Sequence, residues 1–156
     1  MSNASQASVT NQKLDAARRF LQQSQQCEES WLLAGLEGAS LFHLRSALNG
    51  LLQEIKTTYS LKSELDILKL QHAAKEIGVV VPTLSELAAL ALQPLSWLNQ
   101  LEQAFIAQLE CHYTSFSGMS SDNIIGKGSD AGASVGLYLS KLVELVLRFR
   151  EESSEY

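Results

Sequence analysis

The feature that most constrains the fold is a helix-compatible stretch at residues 31–53, which contains 23 residues but only two formal charges. The charged residues are Glu37 and Arg45. A helix on a protein surface normally has one polar or charged face, whereas a helix that is apolar on all sides is buried. We therefore expect this stretch to form a central helix that other helices surround.

Helical periodicity also dominates the chain on both sides of this stretch. The first predicted helix starts near Ser8 or Thr10 and ends near Cys27. The second covers about residues 29–59, and its apolar seam advances by alternating steps of three and four, as in left-handed helical bundles. The seam comprises Ala34, Gly38, Leu41, Arg45, Leu48, Leu52, Ile55 and Tyr59.

Three helix boundaries further along the chain have local signals. A helix over residues 63–77 should end before Gly78, because glycine favours the position that follows a helix C-terminus. Thr83 and Glu86 have the spacing of a capping box, which predicts the start of a short helix. Pro94 suits the first turn of the helix after that, since its missing amide hydrogen costs nothing there.

The helical pattern is interrupted once before the C-terminus. Residues 117–134 are rich in Gly, Ser and Asp, which predicts a mobile surface loop. The last helix should cover about residues 133–152, and residues 1–8 should be a flexible N-terminus. Short connections favour antiparallel neighbours, so we expect a single all-α domain over residues 1–156. The predicted architecture is a bundle of four long helices with one or two shorter ones.

Composition and charge exclude several classes of function. The chain has a formal net charge of −5, and Arg148 and Arg150 are followed directly by acidic residues. Proteins that bind nucleic acids usually cluster Lys and Arg on one face, so we expect no nucleic-acid binding. A membrane span over residues 31–53 would place Arg45 near its centre at a cost of about 2.5–3.5 kcal/mol, so we expect no membrane insertion. The N-terminus lacks the pattern of a secretory signal, which favours a cytoplasmic location.

The cysteines and histidines do not form a recognisable metal-binding pattern. Di-iron sites in helical bundles use Glu-x-x-His, and this motif is absent from the sequence. Without an export signal, Cys27 and Cys111 are expected to be reduced thiols. The sequence leaves open whether Cys27, Cys111 and His112 meet in space. We predict no catalytic residue, no metal site and no cofactor.

His43 is the most interesting candidate for chemistry. It shares a lane of the central helix with small residues, which either allow a close helix contact or leave the imidazole accessible. The local sequence is loosely similar to that of histidine phosphotransfer domains, four-helix bundles in which an accessible His accepts a phosphoryl group beside a basic residue. Here the basic residue stands two positions after the His, whereas those domains place it three positions after. The candidate interaction or phosphotransfer face consists of His43, Arg45, Ser46 and Gly50.

Arg45 lies on the apolar seam, where a charge is costly unless it is paired. We expect its aliphatic stem to pack while its guanidinium reaches an acid on a neighbouring helix. The alternative is a clamp for an anion or for a carboxylate of a partner.

Four segments carry a resemblance to a known family. They are residues 10–14 (TNQKL), residues 37–50 (EGASLFHLRSALNG), residues 96–98 (SWL) and residues 146–156 (VLRFREESSEY). These segments resemble a family of short bacterial proteins that is designated only as a domain of unknown function, and the RFRE…SEY ending is the most specific of them. The resemblance implies no activity, cofactor or catalytic residue.

The sequence favours a non-enzymatic interaction or accessory protein that binds a protein partner or a second copy of itself. The alternative is a phosphotransfer-like signalling module that acts through His43. The two hypotheses differ in what must be exposed. A binding protein needs an apolar or small-residue patch on its surface, whereas a phosphotransfer domain needs His43 in water beside a cation.

Overall fold

A computed structural model describes residues 3–112 and 127–155, with side chains from residue 5 in the first range and from residue 134 in the second. These residues form six helices and no strand, which confirms the predicted all-α class. Among the described residues, no helix combines the length and the apolar character needed to cross a membrane. The helices are α1 (Asn3–Gln25), α2 (Ser30–Thr58), α3 (Ile67–Glu76), α4 (Pro82–Ala91), α5 (Trp97–Leu109) and α6 (Lys127–Ser154).

The first two helices form an antiparallel hairpin to which α6 is added. The Ser40 hydroxyl of α2 donates a hydrogen bond of 2.7 Å to the Ala17 carbonyl of α1. One α6 side chain, Arg150, bonds both to Asn11 near the start of α1 and to Glu54 near the end of α2. Helix α6 therefore runs antiparallel to α1 and parallel to α2.

Helix α5 packs antiparallel to α2 on another side, with Glu102 beside Arg45 and Phe105 beside Phe42. Helices α3 and α4 pack against each other near the ends of α2 and α6. The core between these helices consists mainly of leucine. Its largest fully buried side chains are Leu44, Leu48, Leu51, Ile55, Leu70, Val81, Leu84, Leu87, Leu101, Leu142, Leu145 and Phe149.

The lengths of the helices differ from those predicted. Helices α1, α2 and α6 contain 23, 29 and 28 residues, whereas α5 contains 13 and α3 and α4 contain 10 each. Three helices, and not four, are therefore long. Helix α5 ends early because Glu110 closes it and Cys111 then adopts a positive φ of 58°, which is incompatible with a continuing helix.

Two helices begin earlier than the composition indicated. Helix α1 starts at Asn3, before the predicted start near Ser8 or Thr10, and α6 starts at Lys127, inside the segment predicted to be a loop. Extending an existing helix by a turn or two costs much less than nucleating one, so polar and small residues are readily added to a helix end. The rest of the predicted loop, residues 117–126, lies outside the described residues.

The boundary signals had mixed outcomes. Gly78 follows α3 with a φ of 73°, as expected for a residue after a helix C-terminus. The predicted capping box is wrong, because α4 already starts at Pro82 and the Thr83 hydroxyl, inside the first turn, donates to Glu152 of α6. Pro94 lies in the turn before α5, and Ser96 caps that helix by accepting from the amide of Asn99.

Candidate functional site

The first third of α2 departs from the predicted buried helix. From Ser40 to Ile55 most positions of α2 are buried or half-buried, but no residue between Ser30 and Ala39 is fully buried. The reason is the length of the neighbouring helix: Gly38 lies beside Gln108, one residue before α5 ends. Helix α2 therefore projects about two turns beyond α5, and the prediction of a helix surrounded along its whole length is wrong there.

The first half of α2 and the end of α5 expose several large apolar side chains. Trp31 and Leu109 are 72% and 73% exposed, and Phe42 and Ile106 are also exposed. Trp31 and Phe42 lie on the same side of α2, because eleven residues make about three helical turns. The Phe42 ring lies 6.4 Å from that of Phe105, which brings it next to the α5 residues. We call Trp31, Phe42, Ile106 and Leu109 the apolar end surface.

His43 lies at the inner edge of this surface. Its ring is half-buried, with its centroid 5.3 Å from the centroids of both Phe20 on α1 and Phe42. The Nδ1 atom is 2.7 Å from the Ala39 carbonyl oxygen. A carbonyl only accepts, so Nδ1 carries the hydrogen and Nε2 is left as an acceptor in the neutral ring.

Arg45 is directed to the other side of α2, toward α5. Its Nε atom is 2.6 Å from the Glu102 carboxylate, its Nη1 donates to Asn49 at 2.8 Å, and its guanidinium lies over the Phe105 ring. The predicted pairing with an acid on a neighbouring helix is therefore present. The guanidinium is already engaged by three groups, and Arg45 does not face His43.

The other two predicted candidate residues lie farther along α2. Gly50 is buried against α1, where an added Cβ atom would come within 2.5 Å of the Thr10 hydroxyl oxygen. Ser46 is half-buried. The structure thus brings His43 and Gly50 together with α1 and Arg45 together with α5, so the four residues divide between two sides of the helix.

The cysteines and His112 have separate surroundings. The Cys27 thiol is 3.6 Å from the Glu29 carbonyl oxygen, and His112 lies 3.4 Å from the Glu110 carboxylate. In the part of the chain that the structure describes, no three His, Cys, Asp or Glu residues are placed to hold a metal ion.

The ion pair between Glu54 and Arg150 was not predicted. The Glu54 side chain is only 5% exposed, and Arg150 approaches its two oxygens at 3.0 and 3.3 Å. Arg150 also donates to Asn11 and to the Ala7 carbonyl, so one side chain connects α1, α2 and α6. A sequence signal existed, because Glu54 precedes Ile55 of the apolar seam, where an acid needs a partner.

This network joins two of the segments from which we predicted the resemblance. Asn11 belongs to the early TNQKL segment and Arg150 to the RFRE ending. Their side chains meet at 2.8 Å, so the two segments hold the ends of the bundle together. The third segment, SWL, contributes Ser96, whose hydroxyl donates to Leu90 and accepts from Asn99 where α4 passes into α5.

Two of the cavities that the described residues line have arginines at their borders. A groove of about 410 Å³ between α1 and α6 has an apolar floor, and the Arg18 and Arg150 that border it are paired with acids. A smaller cavity of about 230 Å³ beside α2 and α5 is bordered by the Arg45–Glu102 pair. In both cavities the arginines are already paired with acids. Few groups therefore remain there that could recognise a ligand.

The described residues define an all-helical bundle with exposed apolar side chains at one end. The chain belongs to the DUF6586 family, a family of unknown function whose model matches residues 1–156. This membership agrees with the predicted resemblance to a family of unknown function, while a bacterial origin stays a prediction. Comparison with curated proteins and with solved structures found no match.

Proposed function

We propose that this protein is a non-enzymatic interaction protein of the cytoplasm that binds a protein partner through the apolar end surface. The observation that supports this most is the exposure of Trp31 and Leu109 at the same end of the bundle as Phe42. Contiguous exposed apolar side chains usually mark interaction sites, and Trp is among the residues that contribute most to binding energy. Covering each Å² of this surface would gain about 25 cal/mol before the costs of association.

The conformation of Trp31 also suits binding. Its indole nitrogen donates to the Glu29 carboxylate at 2.8 Å, which holds the ring beside the first turn of α2. A side chain that is already ordered loses less conformational entropy when a partner covers it. Trp31 is therefore partly preorganised for binding within the apolar end surface.

Replacing Trp31 with Ala is expected to weaken partner binding about tenfold or more, because a large aromatic anchor is lost from the surface. The partner is first isolated with the tagged protein from the native cell, identified, purified and then titrated calorimetrically. The matched control is Leu95→Ala, since Leu95 is 86% exposed but lies in the turn before α5. Equal affinities of the Trp31 variant and the unmodified protein would contradict the proposal.

The alternative function is phosphotransfer through His43. The observation that favours it is the hydrogen bond from Nδ1 to Ala39, which leaves Nε2 with the free electron pair that attacks a phosphoryl group. The surroundings of His43 argue against phosphotransfer, because Phe20 and Phe42 flank the imidazole ring and Arg45 is engaged by Glu102. A phosphoryl group on His43 would bring negative charge next to two apolar rings.

Incubation with acetyl phosphate or with a phosphorylated receiver domain is therefore expected to leave His43 unmodified. The measurement is intact-mass spectrometry, with acid treatment to reveal a labile phosphate. His43→Gln serves as the control for phosphorylation elsewhere on the chain. Acid-labile phosphate on His43, transferred more slowly by an Arg45→Ala variant, would support the phosphotransfer function instead.

A further inference from the structure

Acidic residues lie next to the exposed ends of the apolar end surface. Glu28 and Glu29 precede Trp31, and Glu110 follows Leu109. Residues 26–42 and 102–112 contain no Lys or Arg, and His112 already lies beside Glu110. The described side chains around this surface therefore carry an excess of negative charge.

Several acids elsewhere on the described molecule have cationic partners. Asp15 pairs with Arg18 and Arg19, and Glu86 pairs with Arg148. Among the described residues, no Lys or Arg lies within 4.0 Å of the Glu28 carboxylate, and the Glu110 carboxylate lies 3.4 Å from His112.

The spacing of the exposed residues indicates the shape of the partner. Trp31 and Phe42 are separated by about 16 Å along α2, the length of three helical turns. A second helix laid along this surface presents apolar side chains at every third or fourth residue over the same length. An extended segment would need a sheet edge to bond its backbone, and the described residues provide no strand.

We infer that the partner presents a basic amphipathic helix, with an apolar face against the apolar end surface and flanking Lys or Arg residues near Glu28 and Glu110. This inference rests on the proposed function and names the class of its partner. A second copy of the same surface fits less well, because two acidic borders would then face each other. Exposed charges of this kind accelerate association, and their effect weakens as salt screens them.

The test uses the full-length protein and two fluorescein-labelled synthetic helices of about 18 residues. Both peptides have Leu along one face, and the other face has Lys in the first peptide and Glu in the second. Fluorescence anisotropy at low and at physiological salt measures binding. The Lys peptide is expected to bind at least about tenfold more tightly than the Glu peptide, with a preference that decreases as salt is added.

Matched variants test which carboxylates cause the preference for the Lys peptide. Glu28→Gln with Glu110→Gln is expected to weaken binding of the Lys peptide several-fold and to reduce its salt dependence. The control is Glu144→Gln with Glu151→Gln, which makes the same change in net charge at exposed positions on α6 and should leave binding unchanged. Circular dichroism verifies that both double variants keep their helices.

Three outcomes would overturn the inference. Binding of the Glu peptide as tightly as the Lys peptide, with loss of both in a Trp31→Ala variant, would reject the basic partner but retain the apolar end surface as a binding site. Binding of the Lys peptide that depends on Glu144 and Glu151, and not on Trp31, would reject both the inference and the proposed surface. A dimer that Trp31→Ala dissociates, seen by analytical ultracentrifugation, would replace the basic helix with a second copy.

Discussion

Replacing Arg150 with Met is expected to lower the free energy of unfolding by about 3 kcal/mol. The Glu54 side chain is only 5% exposed, and Arg150 supplies its cationic partner. Without the guanidinium, the Glu54 carboxylate remains buried and uncompensated, and Asn11 and the Ala7 carbonyl lose a donor. Urea denaturation followed by circular dichroism measures the loss.

Two control variants distinguish this network from an ordinary surface pair. Arg18→Met breaks the pair with Asp15, which is about half exposed, and should change the free energy of unfolding much less than Arg150→Met does. The double variant Arg150→Met with Glu54→Leu should recover most of the lost stability, because replacing both charges with apolar groups removes the uncompensated carboxylate. A loss below about 1 kcal/mol for Arg150→Met alone would show that water reaches Glu54 and compensates its charge.

Replacing Gly50 with Leu is expected to destabilise the protein by about 3 kcal/mol, the upper part of the range for overpacked interfaces. An added Cβ would already lie 2.5 Å from the Thr10 hydroxyl oxygen and 3.1 Å from the Thr10 Cβ, so α1 and α2 would have to separate. This cost exceeds the gain of up to about 1 kcal/mol from replacing glycine within a helix. Thermal and urea denaturation measure the change.

The other glycines of α2 serve as controls, because their surroundings differ. A Cβ on Gly35 would meet no atom within 4 Å, so Gly35→Ala should stabilise the protein by about 0.5–1 kcal/mol. A Cβ on Gly38 would meet the end of the Gln108 side chain, which is free to rotate away, so Gly38→Ala should have a small effect. Thr10→Ala should recover part of the stability lost in the Gly50 variant. Equal effects at Gly35 and Gly50 would contradict the close contact with α1.

The helices themselves were predictable because helical periodicity is a local property. The buried positions of α1, such as Ala17, Leu21 and Ser24, recur every three or four residues, as helical periodicity requires. The pairing of Arg45 with an acid was also predictable, since a charge on an apolar seam needs a partner. Its partner Glu102 lies 57 residues away in the sequence, and only the antiparallel packing of α5 on α2 brings the two together.

The candidate surface could be predicted only in part. The low number of charges in residues 31–53 was visible in the sequence, and we interpreted it as burial along the whole helix. Burial depends on where the neighbouring helices end, and α5 ends at Leu109. Because α5 ends there, Trp31 is exposed. The local sequence around Trp31 does not indicate where α5 ends.

The sequence by itself determined the helical class, most of the buried stripes and the need for a partner at Arg45, because each follows from residue type and helical spacing. Only the tertiary structure decided which acid pairs with Arg45, that Arg150 pairs with Glu54, and which apolar side chains of the described residues stayed exposed. Both depend on the relative lengths and offsets of helices that are distant in the chain. Arg150 reaches Glu54 because α6 lies parallel to α2, and Trp31 is exposed because α2 extends beyond α5.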